Sequence, residues 1–309
     1  MTFLAKSRPC RRSVSLERQV STLSTTMTTA NAFTRAQRER ERQCRALARA
    51  TCELLNVPVD AQCVALVGAL KFYAALRARE TTRGACEDDD AVHDASHCPE
   101  LVVASAIYLA CKLEESATSA QDVVNAVVRM ASRGCDDAGL KRIALTTRAN
   151  VRARGRDQVE FEEGMALAGY DDVGEDGVVV GALYYEYKDR ILELEQEVLR
   201  AMDYELNTEQ PHKYMFHIVH AIGGGEELAN AASAALSNMM FDTEDLLLTT
   251  EAHTLAAAAV HLASIVLECE SELKSDGAKK WYDVLGFDFE KMSDVNERFL
   301  AAVDSAREL

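Results

Sequence analysis

Proline is scarce in this chain, with 4 in 309 residues, and aromatic residues make up only 6%. Ala and Leu abound instead, so helix is favoured over sheet. No apolar run reaches the ~18 residues needed to cross a bilayer. Positive charge is short as well: 34 Lys and Arg stand against 50 Asp and Glu, a net charge of -16. A general nucleic-acid binder needs the opposite balance to neutralise phosphates, so direct nucleic-acid contact is not expected. The chain has no GxGxxG, no Walker sequence, no GxSxG and no HExxH. No catalytic constellation is visible, and neither an enzyme nor a bound cofactor is expected. The 9 cysteines are odd in number, none in CxxC spacing, and no secretory signal precedes them. They read as reduced, mostly buried thiols of an intracellular protein rather than as a disulfide framework.

What is present is a globular composition, 48% hydrophobic and 27% charged, with a length that suits two domains. Charge is unevenly spread. Residues 1–35 hold Lys6, Arg8, Arg11, Arg12, Arg18 and Arg35 against Glu17 alone, a net of +5, so the remainder carries -21. This Ser- and Thr-rich head, residues 1–37, cannot bury a core and is expected to be disordered. Its basic, acid-poor composition also suits an organelle transit peptide.

Helical periodicity predicts helices over 38–56 and 59–79, an acidic loop at Glu87–Asp90, then helices over 99–115 and 119–130. Residues 133–182 are Gly- and charge-rich. They read as a long solvated insertion with a short helix at 138–146. A strong helix follows at 183–204, then further helices near 211–222, 226–241, 250–268, 278–285 and 291–307. The helix from Pro99 carries no charge from Leu101 to Cys111. A helix apolar all round is buried on every side, which makes it the central rod of an all-α bundle.

The chain also repeats itself. Val103–Cys111 (VASAIYLAC) aligns with Ala256–Ser264 (AAAAVHLAS), and Val198-Leu199 aligns with Phe299-Leu300. Two tandem five-helix bundles, each around a buried third helix, are the simplest account.

Two residues break the apolar pattern. Ile191, Leu192, Leu194, Val198, Leu199 and Met202 share one face of their helix, and Glu195 falls in the middle of it. A carboxylate there is costly unless paired. Either it finds a partner inside this chain or it helps to form a site for something outside. Lys112 ends the buried helix after eleven uncharged residues. Its stem lies along the core with the ammonium in water, or else it meets Glu195 at one rim. Such a rim would offer a donor and an acceptor to the exposed backbone groups of a partner's helix end. The corresponding positions of the second repeat are Ile265 and Asn296, which lack the polar pair.

The segments 103–115 (VASAIYLACKLEE) and 188–213 (KDRILELEQEVLRAMDYELNTEQPHK) resemble the cyclin box. Pro211-His212-Lys213, the stretch Gln121–Asn125 and the pair Trp281-Tyr282 are most similar to L-type cyclins of the transcription and splicing group. The resemblance covers roughly residues 38–309, with 133–182 poorly matched. It implies an N-terminal cyclin box at 38–208 and a C-terminal box at 209–309. It also implies that Lys112 and Glu195, with Leu113 and Glu115 beside them, bind a cyclin-dependent Ser/Thr kinase. The chain would then be a nuclear regulatory subunit in a heterodimer serving RNA polymerase II transcription, without membrane contact. Two features depart from that family. No Arg/Ser-rich tail follows the last helix of this sequence, and the docking motif of cell-cycle cyclins is not seen at Gln43–Ala48.

The alternative is a general transcription factor of the TFIIB type, which shares two cyclin-like repeats. That reading calls for basic repeats and a zinc ribbon, whereas these repeats are acidic and hold no CxxC. His93, His97 and Cys98 have a spacing that suits metal, but no fourth ligand is near in sequence, so no metal is expected. His217 and His220 read as packing or surface residues. Arg142, Leu145 and Asn150 have the spacing of a destruction box, a short pattern that often arises by chance.

Overall fold

A computed structural model of the chain describes residues 38–83, 98–131, 178–243, 246–270, 273 and 279–307. The basic head, the predicted helix at 138–146 and the Arg142, Leu145, Asn150 pattern lie outside the described residues. Contacts divide the chain into two units, Met1–Glu41 and Arg42–Leu309. Of the first, residues 38–41 are described, as the opening turn of a helix. The second unit holds the packed core.

Eleven helices occur among the described residues. They are α1 (38–54), α2 (Val59–Arg83), α3 (Pro99–Leu113), α4 (Ala120–Ala131), α5 (Gly181–Ala201), α6 (Pro211–Ala221), α7 (Glu226–Asp242), α8 (Leu246–Thr249), α9 (Ala252–Val266), α10 (Trp281–Leu285) and α11 (Phe289–Arg307). The fold is all-α and consists of two tandem bundles. In the first, α3 packs on α2, α4 and α5; in the second, α9 packs on α6, α7 and α11. Both central helices stand third among the five main helices of their bundle, as the internal repeat predicts. The one-turn α8 is an addition that the periodicity did not reveal. It packs on α7 and also on α2.

The burial of α3 follows from its sequence. Leu101 to Ile107, Leu109, Ala110 and Cys111 are all buried. A small residue lets α5 approach: the hydroxyl of Ser105 donates to the Ile191 carbonyl at 3.0 Å. On α2, a Cβ at Gly68 would lie 3.1 Å from Val198 Cγ1, so α2 and α5 also meet closely at this point. The inward face of α5 is Ile191, Leu194 and Val198, followed by Met202 at its C-cap, all fully buried. Where the chain returns at Val179, its amide donates to Asn125 Oδ1 of α4 at 2.9 Å.

The stretch Val59–Arg79 stands apart from the other described helices. By length and composition it is apolar enough to cross a membrane. Asp60, Lys71 and Arg77 interrupt it, so no continuous apolar run is visible in the sequence. Its residues Cys63–Leu70 are buried where the helix packs on α3 and α5. A central core helix has the same composition as a spanning one.

Six helices end in one way. Asn56, Glu115, Asp203, Gly223, Glu268 and Gly286 have φ of 50°, 52°, 54°, 72°, 54° and 79°. After each, the next amide reaches back to a carbonyl five residues earlier. These bonds are Val57 to Cys52 at 2.9 Å, Ser116 to Cys111 at 2.8 Å, Tyr204 to Leu199 at 2.9 Å, Gly224 to Val219 at 2.8 Å, Cys269 to Ser264 at 3.1 Å and Phe287 to Tyr282 at 2.9 Å. This is the Schellman closure, which satisfies carbonyls that the helix end leaves over. It ends α3 at Leu113 and α5 at Ala201, short of the predicted 115 and 204.

Candidate functional site

The C-terminal turn of α3 and the middle of α5 form the rim on which the sequence argument centres. Lys112 is the penultimate residue of α3, and its side chain is 43% exposed. Glu195 stands one turn beyond Ile191 on the apolar face of α5, and its side chain is 13% exposed. The Lys112 ammonium donates to Glu195 Oε1 and forms an ion pair with it. The carboxylate has a partner in its own chain, and that partner is at the surface. An ammonium has three N–H donors and a carboxylate two oxygens, so this single contact leaves capacity on both groups.

Tyr108 completes the arrangement. The Lys112 ammonium lies over its ring, 4.4 Å from the centroid. A cation over an aromatic face is attracted to the ring quadrupole, and the ring limits how far the lysine stem can swing. The sequence reading missed Tyr108. The available signal was its spacing, one turn before Lys112 on the same helix face.

Leu113 is half-buried and packs against the core, whereas Glu115 is exposed and left-handed. Between them Glu114 caps α3 and accepts a hydrogen bond from Gln210 Nε2 at 3.0 Å. So Lys112, Leu113, Glu115 and Glu195 are brought to one end of the first bundle by two helices that pack directly.

The second bundle tests the repeat. Ile265, at the Lys112 position, is 50% exposed. Asn296, at the Glu195 position, is buried, with its Nδ2 3.4 Å from His261 Nδ1. His261 is the counterpart of Tyr108. In the first copy Lys112 links Glu195 and Tyr108; in the second, Asn296 and His261 meet directly, so an amide–imidazole contact stands where the first has an ion pair and a cation–ring contact. Burial holds the His261 imidazole below its usual range, an effect only partly opposed by Glu270.

The remaining sequence candidates do not gather. His93 and His97 lie outside the described residues. Burial, and then the neighbouring Glu100 charge, push the Cys98 thiol well above its ordinary range. No group of three metal-ligating side chains occurs among the described residues. His217 and His220 are exposed on α6. Cys52, Cys63, Cys98, Cys111 and Cys269 are free cysteines, of which Cys52, Cys63 and Cys111 are buried.

No protein-family model matches the sequence. Among solved structures, a chain of the yeast RNA Pol II CTD kinase CTDK-1 complex is similar, with a TM-score of 0.50 and 12% identity. The match covers 87% of this chain and 66% of that one. At that identity the likeness is one of fold: a cyclin-like arrangement of two tandem helical bundles.

Proposed function

We propose that this chain is a cyclin, a regulatory subunit that binds and activates a cyclin-dependent Ser/Thr kinase and performs no chemistry itself. The observation that carries this reading is the surface ion pair between Lys112 and Glu195 at the end of the first bundle, absent from the equivalent place in the second. The fold likeness to a chain of a polymerase II CTD kinase complex supports a kinase of the transcription and RNA-processing group. Gln121–Asn125, Pro211–Lys213 and Trp281-Tyr282 favour the L-type branch. Residues 38–208 and 209–309 serve as the two boxes, the kinase is the partner in a heterodimer, and the assembly works in the nucleus.

In this reading the first bundle packs on the kinase N-lobe beside its regulatory helix. Lys112 and Glu195 bind backbone groups at that helix and favour the position in which its Glu pairs with the ATP-binding Lys. Moving such an equilibrium from 1:99 to 99:1 needs about 5.5 kcal/mol of differential binding. Hydrogen bonds from charged groups to a partner's backbone contribute about 1.5–3 kcal/mol each. The two groups therefore supply a large share of that difference, and apolar contact, including Leu113, supplies the rest.

The test is affinity purification of the tagged chain with mass spectrometry, followed by kinase assay. Wild type is expected to retain and activate a Ser/Thr kinase. Lys112→Ala with Glu195→Ala is expected to fold normally and lose both. Full activation by the double variant would sink the reading.

A further inference from the structure

Helix α6 begins the second bundle at Pro211, with Gln210 at its N-cap. An N-cap side chain ordinarily accepts hydrogen bonds from the first amides of its own helix. Gln210 makes no such bond. Its side chain crosses to the first bundle, where Nε2 donates to Glu114 Oε1 at 3.0 Å. Gln210 is only 6% exposed, and its Oε1 is buried with no hydrogen-bond partner. The amide thus stays desolvated in a place where one bond across the two bundles is what it gains.

The acceptor stands at a telling position. Glu114 is the C-cap of α3, two residues beyond Lys112 and one before the left-handed Glu115. Its own amide donates to the Ala110 carbonyl at 2.9 Å. Fixing the Glu114 side chain therefore fixes the turn that carries Lys112, Leu113 and Glu115. The matching turn of the second bundle closes through the same backbone bonds, Leu267 to Ala263 at 3.0 Å and Cys269 to Ser264 at 3.1 Å. It has Leu267 in place of Glu114 and so has no side-chain acceptor there.

We propose that Gln210, acting through Glu114, is a positioning residue for the Lys112–Glu195 rim, so that the second bundle sets how the first presents its binding surface. The consequence for a kinase partner rests on the function proposed above; the coupling of Gln210 to the turn does not.

Hydrogen exchange in the full chain reads that coupling directly. Gln210→Leu and Glu114→Leu are each expected to speed exchange of the Glu115 and Ser116 amides about tenfold, as expected for local opening. The Glu268 and Cys269 amides of the equivalent turn should not change. Glu114→Gln keeps an acceptor oxygen and should stay near wild type. The co-purifying kinase should bind the two Leu variants about tenfold more weakly and the Gln variant normally, since lost local order is repaid on binding. Unchanged exchange at Glu115 and Ser116, equal acceleration of both turns, or a Gln variant as loose as the Leu variant would each overturn the proposal. If exchange responds as stated but Lys112→Ala with Glu195→Ala still binds the kinase, the positioning role stands and the functional reading fails.

Discussion

Glu115 and Glu268 occupy the same left-handed position at the ends of α3 and α9, with φ of 52° and 54°. Each is followed by an amide bonded to the carbonyl five residues back. A residue with a Cβ pays about 1–2 kcal/mol in this conformation, a cost glycine escapes. Glu268→Gly is therefore expected to raise stability by about 0.5–1 kcal/mol after glycine's own entropy is counted. Glu115→Gly should stabilise equally but weaken kinase binding, because Glu115 belongs to the proposed surface. Thermal melts beside binding measurements check both halves.

Arg49 should matter more than its position on α1 implies. Its guanidinium reaches Asp242 Oδ2 at 3.0 Å and Asn238 Oδ1 at 2.7 Å on α7, and lies 6.0 Å from the centre of the Phe241 ring. Asp242 is the last residue of α7, where the helix dipole disfavours a carboxylate. Arg49→Ala is expected to cost about 1–2 kcal/mol, since these partners are part-exposed. The cost should be smaller in an Asp242→Asn background. Urea melts of the four proteins of that cycle give the coupling.

Acid should loosen the protein. Burial holds His212 and His261 below the usual imidazole range; Asp60 opposes the shift at His212, while at His261 Glu270 opposes it and Lys280 adds to it. A depressed folded pKa means that the unfolded chain takes up protons that the native one refuses. The stability from this source is complete above the unfolded value of about 6.5 and falls as pH drops below it. The melting temperature is expected to decline from about pH 6.5 downward, and less steeply in His212→Gln and His261→Gln. Equal slopes in all three proteins would contradict this.

Tyr108→Leu is expected to leave the fold intact, since the ring is only half-buried, and to cost about 0.5–1 kcal/mol of kinase affinity through loss of the cation–ring contact. Tyr108→Phe should bind as wild type. A Phe variant as weak as the Leu variant would assign the role to the hydroxyl instead.

Much of this organisation is legible in the sequence, for identifiable reasons. The uncharged run Leu101–Cys111 announces a central helix, because nothing in it tolerates water. Its match to Ala256–Ser264 announces a second bundle, and the structure confirms that register down to the hydrogen bonds of the terminal turns. Glu195 stands out because a carboxylate on an apolar face is anomalous. Helix ends were harder to place. Only two of the six Schellman closures carry glycine, at Gly223 and Gly286, so the usual marker is missing at Glu115, Asp203 and Glu268. The Gln210–Glu114 bond left no trace either, since it joins residues far apart in the chain whose local contexts are ordinary. Helix α8 escaped notice because a single turn has no periodicity to read.

The buried thiols of the first bundle bear on how its opening can be watched. Burial raises Cys52 and Cys63 to a pKa of about 12, with smaller contributions from nearby charged groups, so neither offers a thiolate near neutral pH. Cys269, in the second bundle, is only partly covered. An alkylating reagent should therefore mark Cys269 at once and Cys52 and Cys63 only when α1 and α2 part from α3. The two modification rates thus serve as a built-in stopwatch for breathing of the first bundle, requiring no engineered label.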